Sequence, residues 1–152
     1  MAAKFTFFAE GGSIEVRIVD FETPKPQQID AIWLDSTVTV EAGAFLGSFK
    51  ASFTTDDLVS LHEQLKSALI AQNGTVCCKN TGGGLSIVLT LRNDGRVAII
   101  GIAQPNRLRG GILHFEIATD HFALVRTVRQ LEDTLRAFQP SQPIKNNDWA
   151  AD

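Results

Sequence analysis

Apolar and polar residues alternate along four segments of the chain, which are followed by a longer segment with helical spacing. The same series then occurs a second time. A period of two is typical of half-buried strands, whereas apolar residues at i, i+3 and i+4 indicate an amphipathic helix. The alternation predicts strands over residues 4–9, 14–21, 32–41 and 45–53, and again over residues 75–79, 85–92, 97–102 and 113–117.

Two amphipathic helices are predicted, over residues 56–72 and 120–138. Each follows a predicted strand directly and opens on the same dipeptide, Thr55-Asp56 in one half and Thr119-Asp120 in the other. Thr and Asp side chains accept hydrogen bonds from the unpaired N–H groups of a first helical turn, so these positions fit helix starts.

Glycines are informative at three places, two of them turns between strand segments and one inside a strand. Gly11-Gly12 predicts a tight hairpin turn, and Asn93-Asp94-Gly95 predicts another. Gly47 lies within a strand between Phe45 and Phe49, so we expect a further element to lie close against that face.

The predicted fold is therefore α+β, with about eight antiparallel strands in two ββββα halves and a curved sheet packed on two amphipathic helices. Residues 1–138 form a single domain, and 152 residues suffice for one core. Residues 139–152 are predicted to be a flexible C-terminal tail, because prolines and polar residues replace the periodic pattern.

Composition excludes several classes of function. The net charge of −3 argues against binding nucleic acid, which requires clustered Lys and Arg. No apolar stretch of the sequence is long enough to cross a membrane, and we expect no signal peptide. The adjacent Cys77 and Cys78 point to opposite faces of a strand, so they are expected to stay reduced. We expect a cytoplasmic protein.

Catalytic motifs are lacking, and neither an enzyme nor a cofactor is predicted. The glycine run of residues 80–84 feeds a strand instead of a helix, which favours a hairpin connection over a phosphate site. His114, Glu116 and His121 are weak candidates for a metal site, because two imidazoles and a carboxylate lie near one another in sequence. Without a recognised ligand spacing, a solvent-facing strand is the favoured interpretation. His62 lies off the leucine stripe and is expected to be exposed.

Two further groups of residues are candidates for binding. Four arginines, two on a glycine-rich loop and two on the second helix, are candidates for binding a partner: Arg107, Arg109, Arg126 and Arg129. Four aromatic residues are candidates for lining a small-molecule pocket between the curved sheet and a helix: Trp33, Phe45, Phe49 and Phe53.

The stretch from Trp33 to Leu69 carries a resemblance to a known family. It contains Trp33-Leu34, then the run Val-Thr-Val-Glu-Ala-Gly-Ala-Phe-Leu-Gly-Ser-Phe over residues 38–49, and Thr55-Asp56-Asp57-Leu58 at the helix start. The chain resembles the WapI-like bacterial immunity proteins in these segments, and residues 85–120 fit the same outline. The resemblance implies a cytosolic protein that binds and blocks a toxin, with no catalytic motif to carry over.

Three functions follow from these observations. The leading hypothesis is a non-catalytic binding protein, an immunity protein that blocks a polymorphic toxin domain by occlusion. The alternative is a small-molecule binding domain with the aromatic pocket, and an enzyme centred on His114 comes third. A homodimer is also compatible with the sequence, because the edge strands of an open sheet must be covered.

Overall fold

Two ββββα halves make up the fold, and the predicted α+β architecture of eight antiparallel strands is confirmed. The computed structural model describes residues 3–22, 32–106 and 108–138. The first half contains β1 (Ala3–Ala9), β2 (Gly12–Phe21), β3 (Trp33–Ala42), β4 (Phe45–Thr54) and α1 (Thr55–Ala71). The second half contains β5 (Gly74–Lys79), β6 (Leu85–Leu91), β7 (Arg96–Ala103), β8 (Leu113–Asp120) and α2 (His121–Ala137).

The strands form two separate four-stranded sheets in place of one curved sheet. In each sheet the strands follow chain order, β1-β2-β3-β4 in the first sheet and β5-β6-β7-β8 in the second. The turn between β1 and β2 lies one residue earlier than predicted, at Glu10-Gly11, because Gly12 already pairs with Ala9. Gly11 supplies the positive φ of +75° that this turn requires.

Both helices begin within one residue of their predicted starts, because their capping residues set the boundary. The Thr54 hydroxyl accepts from the Asp57 backbone N–H at 3.1 Å, and the Asp57 carboxylate accepts from the Thr54 N–H at 2.9 Å. The second helix starts after Asp120, whose carboxylate accepts from the Ala123 N–H at 2.9 Å. The reciprocal pair at Thr54 and the single bond at Asp120 satisfy N–H groups that would otherwise be unpaired.

Each helix covers the outer edge of the other half's sheet. Gln64 of α1 binds the backbone of Cys77 in β5, accepting from its N–H at 3.0 Å and donating to its carbonyl at 3.1 Å. Gln130 of α2 accepts from the Thr6 N–H of β1 at 2.8 Å, and the Thr127 hydroxyl donates to the Thr6 carbonyl at 2.7 Å. The side chains therefore pair edge groups that would otherwise be open.

At the two remaining sheet edges, a residue of the other half also bonds the edge strand. The Gly82 N–H, just after β5, donates to the Ser52 carbonyl of β4 at 3.2 Å, and the Glu10 N–H donates to the Ala118 carbonyl of β8 at 3.0 Å. Ser52 and Ala118 are 66 residues apart, and so are Gln64 and Gln130. The two halves are thus related by an approximate two-fold arrangement in which each completes the other.

A single hydrophobic core lies between the sheets and helices. It joins residues of both halves, including Phe5, Phe53, Leu65, Leu89 and Leu131, all of them fully buried. Such shared burial stabilises the two halves as one unit.

His62 is not exposed as expected, because α1 and α2 pack together. Its Nε2 lies 2.9 Å from the Glu132 carboxylate of α2, and its side chain is only 19% exposed. The helical spacing correctly placed His62 off the leucine stripe, but a single helix pattern cannot show a neighbouring helix.

The expected close neighbour of Gly47 is absent from the described structure. A Cβ atom added at Gly47 would meet no described atom within 4 Å. The close approach lies instead at Gly101 in β7, where an added Cβ would overlap the ring of Phe115 on the neighbouring strand. The space at Gly47 opens into a cleft.

Candidate functional site

An apolar cleft of about 340 Å³ opens beside β4. Strand β4 is the outer strand of the first sheet, and β3 is its one partner among the described strands. We call this cavity the edge cleft. Its lining consists of Val40, five consecutive β4 residues (Phe45, Leu46, Gly47, Ser48 and Phe49), and Ala103, Pro105, Gly111, Ile112 and Leu113 from around the connection between β7 and β8.

The β3–β4 hairpin builds one wall of the edge cleft. Gly43, at φ +59°, turns the chain so that Phe45 pairs with Ala42. Strand alternation then places Phe45, Gly47 and Phe49 on one face, and the missing side chain at Gly47 leaves space between the two rings. Phe49 is half-buried, whereas Phe45 remains 66% exposed.

Large apolar side chains at the edge cleft face solvent. Leu46 is 72% exposed and Ile112 is 52% exposed, in addition to Phe45. Grouped apolar side chains of this kind differ from the scattered single residues found on most surfaces, and they mark sites that bind other molecules.

A polar cleft of about 470 Å³ continues along the same strand. It includes Lys50 and Ser52 of β4, the carboxylates of Glu22 and Asp35, the glycines of residues 82–84, and Pro105, which it shares with the edge cleft. The Ser52 hydroxyl donates to the Glu22 carboxylate at 2.7 Å. The outer side of β4 is therefore apolar at its N-terminal end and acidic at its C-terminal end.

The four aromatic residues of the predicted pocket do not all line one cavity. Phe45 and Phe49 line the edge cleft, but Phe53 is fully buried in the core. Trp33 pairs with Thr54, so alternation places it on the opposite face of the sheet from Phe53. Two of the four residues thus share a cavity.

The predicted arginines do not form one described patch. Arg109 is exposed on the connection before β8, while Arg126 and Arg129 lie on α2, beyond the other end of that strand. The Arg126 guanidinium stacks on the ring of Phe8, 4.3 Å from the ring centroid. Its charged group is therefore engaged in a contact within the chain. Arg107 lies outside the described residues.

The weak metal candidates do not converge into a ligand set. His114 and Glu116 lie on the exposed face of β8, opposite Ile102 and Ile100 of β7. His121 is half-buried at the start of α2, and its Nε2 is buried without a hydrogen-bond partner among the described residues. No group of three His, Cys, Asp or Glu residues in the described ranges is arranged to hold a metal ion.

A second exposed apolar surface lies on the outer face of the second sheet. Ile100 is 55% exposed, and Val88 and Ile102 are each 38% exposed. Val88 pairs with Ile100 across the strands, so the two are neighbours. The outer face of the first sheet is polar in comparison, with Glu15, Arg17 and Lys50 on its strands.

Sequence analysis did not single out Leu46 and Ile112 as binding residues. A signal existed for Leu46, because it is the one apolar residue among Ser48, Lys50 and Ser52 on the polar face of its strand. Ile112 lies in a connection without a regular period, where no pattern distinguishes a surface residue from a buried one.

The two cysteines are unbridged and differ in environment. Cys77 is exposed, and Cys78 is buried. Burial raises the pKa of the Cys78 thiol from 9.0 to about 12, with smaller contributions from Asp57 and Cys77. Cys78 therefore stays a neutral core residue, unsuited to act as a nucleophile.

Comparison with protein families identifies the family of this chain. The model of the Immunity protein WapI-like family matches residues 5–139, which include both ββββα halves. The chain belongs to the WapI-like immunity protein family. The suspected resemblance is thereby confirmed over most of the chain. A comparison with curated proteins gave no match. None of the helices in the described ranges has the length and apolar character needed to span a membrane.

Proposed function

We propose that this WapI-like protein is a non-catalytic immunity protein that neutralises a toxin by binding and occluding it. The observation that carries the proposal is the group of exposed apolar side chains around the edge cleft in a member of this family. Immunity by occlusion needs a binding surface and no chemistry of its own.

The energetics of the edge cleft favour a protein partner. Phe45, Leu46 and Ile112 keep most of their side chains in water in the chain alone. Covering a side chain of this size contributes about 1.5–3 kcal/mol. Clustered aromatic and aliphatic anchors with polar surroundings are typical of the centre of a protein interface.

The proposed site of action is the cytosol of the cell that makes the protein. The unbridged cysteines are consistent with a reducing compartment. The proposed partner is a polymorphic toxin domain that reaches this compartment.

The proposal is tested by mixing the purified protein with a candidate toxin domain, chosen from the genes that neighbour its own. We expect a one-to-one complex in size-exclusion chromatography with light scattering, and loss of toxin activity in the same mixture. Leu46→Asp places a charge at the exposed rim of the edge cleft and is expected to weaken binding at least about a hundredfold. If the toxin stays fully active at saturating protein, occlusion is wrong.

Ile100→Asp is the matched control, because Ile100 is also an exposed aliphatic residue on a strand but lies on the second sheet. It is expected to bind as the unchanged protein does. A loss of binding in Ile100→Asp with no change in Leu46→Asp would move the interface to the outer face of the second sheet.

A small-molecule function is the second candidate, because the edge cleft volume of about 340 Å³ is within the usual range for ligand sites. It predicts that a ligand screen raises the melting temperature of the protein and that Leu46→Asp abolishes the shift. A screen without any stabilising compound, together with a toxin complex, would exclude this function.

A further inference from the structure

We infer that the partner contributes an extended segment that pairs with the outer edge of β4 and adds a fifth strand to the first sheet. The inference rests on the proposed function for its partner and specifies how that partner binds. It follows from backbone hydrogen bonding, from the two clefts along β4, and from the charges at their ends.

The register of β4 shows which backbone groups are unpaired. The Ser52 carbonyl points away from β3, because it accepts from the Gly82 N–H and from the Asn80 side chain. Backbone groups of alternate residues point to the same side of a strand, and the β3–β4 register has no irregularity. Leu46, Ser48 and Lys50 therefore direct their N–H and carbonyl groups outward.

Among the residues that the structure describes, the chain bonds to this edge at Ser52. The connection after β5 approaches Ser52 so closely that a Cβ added at Gly82 would lie 2.7 Å from the Ser52 carbonyl oxygen. The Asn80 amide donates to the same oxygen at 3.0 Å. Gln64 bonds the edge of β5 and Gln130 with Thr127 bonds the edge of β1, while β8 is bonded at Ala118 by Glu10. Within the described residues, β4 has no backbone partner on its outer edge from Leu46 to Lys50, and it is distinguished by the two clefts that follow it.

The clefts on this edge specify the side chains of the added strand. Where it passes Phe45 and Phe49, alternate side chains enter the apolar edge cleft. Near Ser52, the carboxylates of Glu22 and Asp35 outnumber the ammonium of Lys50. The segment that fits has alternating apolar residues followed or preceded by a Lys or Arg at the acidic end.

A single segment fits this edge better than a second copy of the chain does. Pro105 and the residues Gly111–Leu113 form the opposite wall of the edge cleft, beside the open backbone groups. A two-fold pairing of β4 strands centred on Ser48 would bring two such walls together, whereas a single added strand meets one wall. The two-fold pairing would also place Lys50 against Leu46 of the other copy.

A proline at Ser48 tests the inference directly. Because the Ser48 N–H points outward, Ser48→Pro removes one edge donor and leaves the hydrogen bonds to β3 in place. Ser48→Ala is the matched control, since it loses the same hydroxyl contact with Thr39 but keeps the N–H. Circular dichroism and thermal melting must show that both variants fold. Leu46→Pro is a second proline variant, at a position whose N–H also points outward.

Two probes are used with these variants. The first is a set of synthetic peptides selected from a displayed random library of about twelve residues on the full chain. The second is the candidate toxin domain. Hydrogen exchange monitors the Leu46, Ser48 and Lys50 amides in each complex.

We expect selected peptides with alternating apolar residues and a basic residue, which slow exchange at these three amides. Ser48→Pro should raise the Kd about tenfold or more, whereas Ser48→Ala leaves it within about twofold. The inference is overturned if no peptide is enriched, or if bound peptides leave the three amides unprotected. It is also overturned if the amides of the free protein are protected and this protection increases with protein concentration, since a second copy would then occupy the edge.

The toxin complex separates this inference from the proposed function. Suppose that Ser48→Pro and Ser48→Ala bind and inhibit the toxin equally and that the edge amides are not protected. This result would support the proposed function and exclude the added strand. If the protein does not bind the toxin but selected peptides protect the edge amides, the proposed function is wrong and the pairing of β4 with an extended segment is supported.

Discussion

At the scale of single residues, two glycines that look alike in sequence have opposite environments. Gly47 and Gly101 each lie inside a strand among apolar residues. The ring of Phe115 packs directly on Gly101, whereas Gly47 faces the edge cleft. Sequence could predict that a strand glycine matters, but the cross-strand register that decides which aromatic lies over it depends on the assembled sheet.

Gly101→Ala is therefore expected to destabilise the protein by about 1–3 kcal/mol, because the new methyl group overlaps the Phe115 ring. Gly47→Ala is the matched control and should change the free energy of unfolding by no more than about 0.5 kcal/mol. Urea unfolding monitored by circular dichroism measures both. Equal effects of the two substitutions would contradict the described packing.

Cys77 and Cys78 are expected to react very differently with a thiol reagent. At about pH 8 only Cys77 should be labelled in the folded protein, because Cys78 is buried and its thiolate is suppressed. Cys77→Ser should abolish the fast labelling. Rapid labelling of two thiols under native conditions would show that the β5 region opens readily.

Burial of Cys78 also has a consequence for stability at alkaline pH. Because its pKa is raised from 9.0 to about 12 in the folded state, its contribution to stability is full below pH 9.0 and is lost as the pH rises towards about 12. Cys78→Ala should flatten this decline in the free energy of unfolding. An unchanged pH profile in that variant would assign the decline to other groups.

At the scale of secondary structure, the helices are where sequence and structure agree most closely. Thr54 and Asp120 are local capping signals, so the start of each helix can be predicted from nearby residues. The sheet edge that each helix covers could not be predicted. Gln64 and Gln130 are polar residues on mostly apolar helix faces, and only the fold shows that they bond strands of the opposite half.

Gln64→Leu is expected to cost about 0.5–1.5 kcal/mol, because it removes two hydrogen bonds to the backbone of Cys77 at a sheet edge that water can reach. Exchange of the Cys77 amide should accelerate. Gln64→Glu is an informative comparison, since a carboxylate can still accept from the N–H but cannot donate to the carbonyl. Unchanged amide exchange in Gln64→Leu would mean that α1 does not protect this edge.

At the scale of the whole molecule, each half lacks a part that the other supplies. Sheet edges of one half are closed by the helix and connections of the other, and the core is continuous between them. The repeated ββββα series could be predicted from sequence. The contacts by which each half closes the sheet edges of the other could not be predicted. Equivalent positions 66 residues apart carry different residues in most cases, such as Thr54 and Asp120.

Separate fragments of residues 1–72 and 73–152 are therefore expected to lack cooperative melting when alone. Mixed in equal amounts, they should form a one-to-one complex that regains a melting transition. Circular dichroism and size-exclusion chromatography follow the assembly. An independently stable fragment would show that the halves are separate domains.

The central claim is that this WapI-like protein neutralises a toxin through the edge cleft beside β4. The most direct measurement is growth of bacteria that express the candidate toxin domain, together with each variant of this protein. Protection by the unchanged protein and by Ile100→Asp, with death of cells carrying a folded Leu46→Asp, is the expected result. Full protection by Leu46→Asp, or no protection by the unchanged protein, would contradict the account.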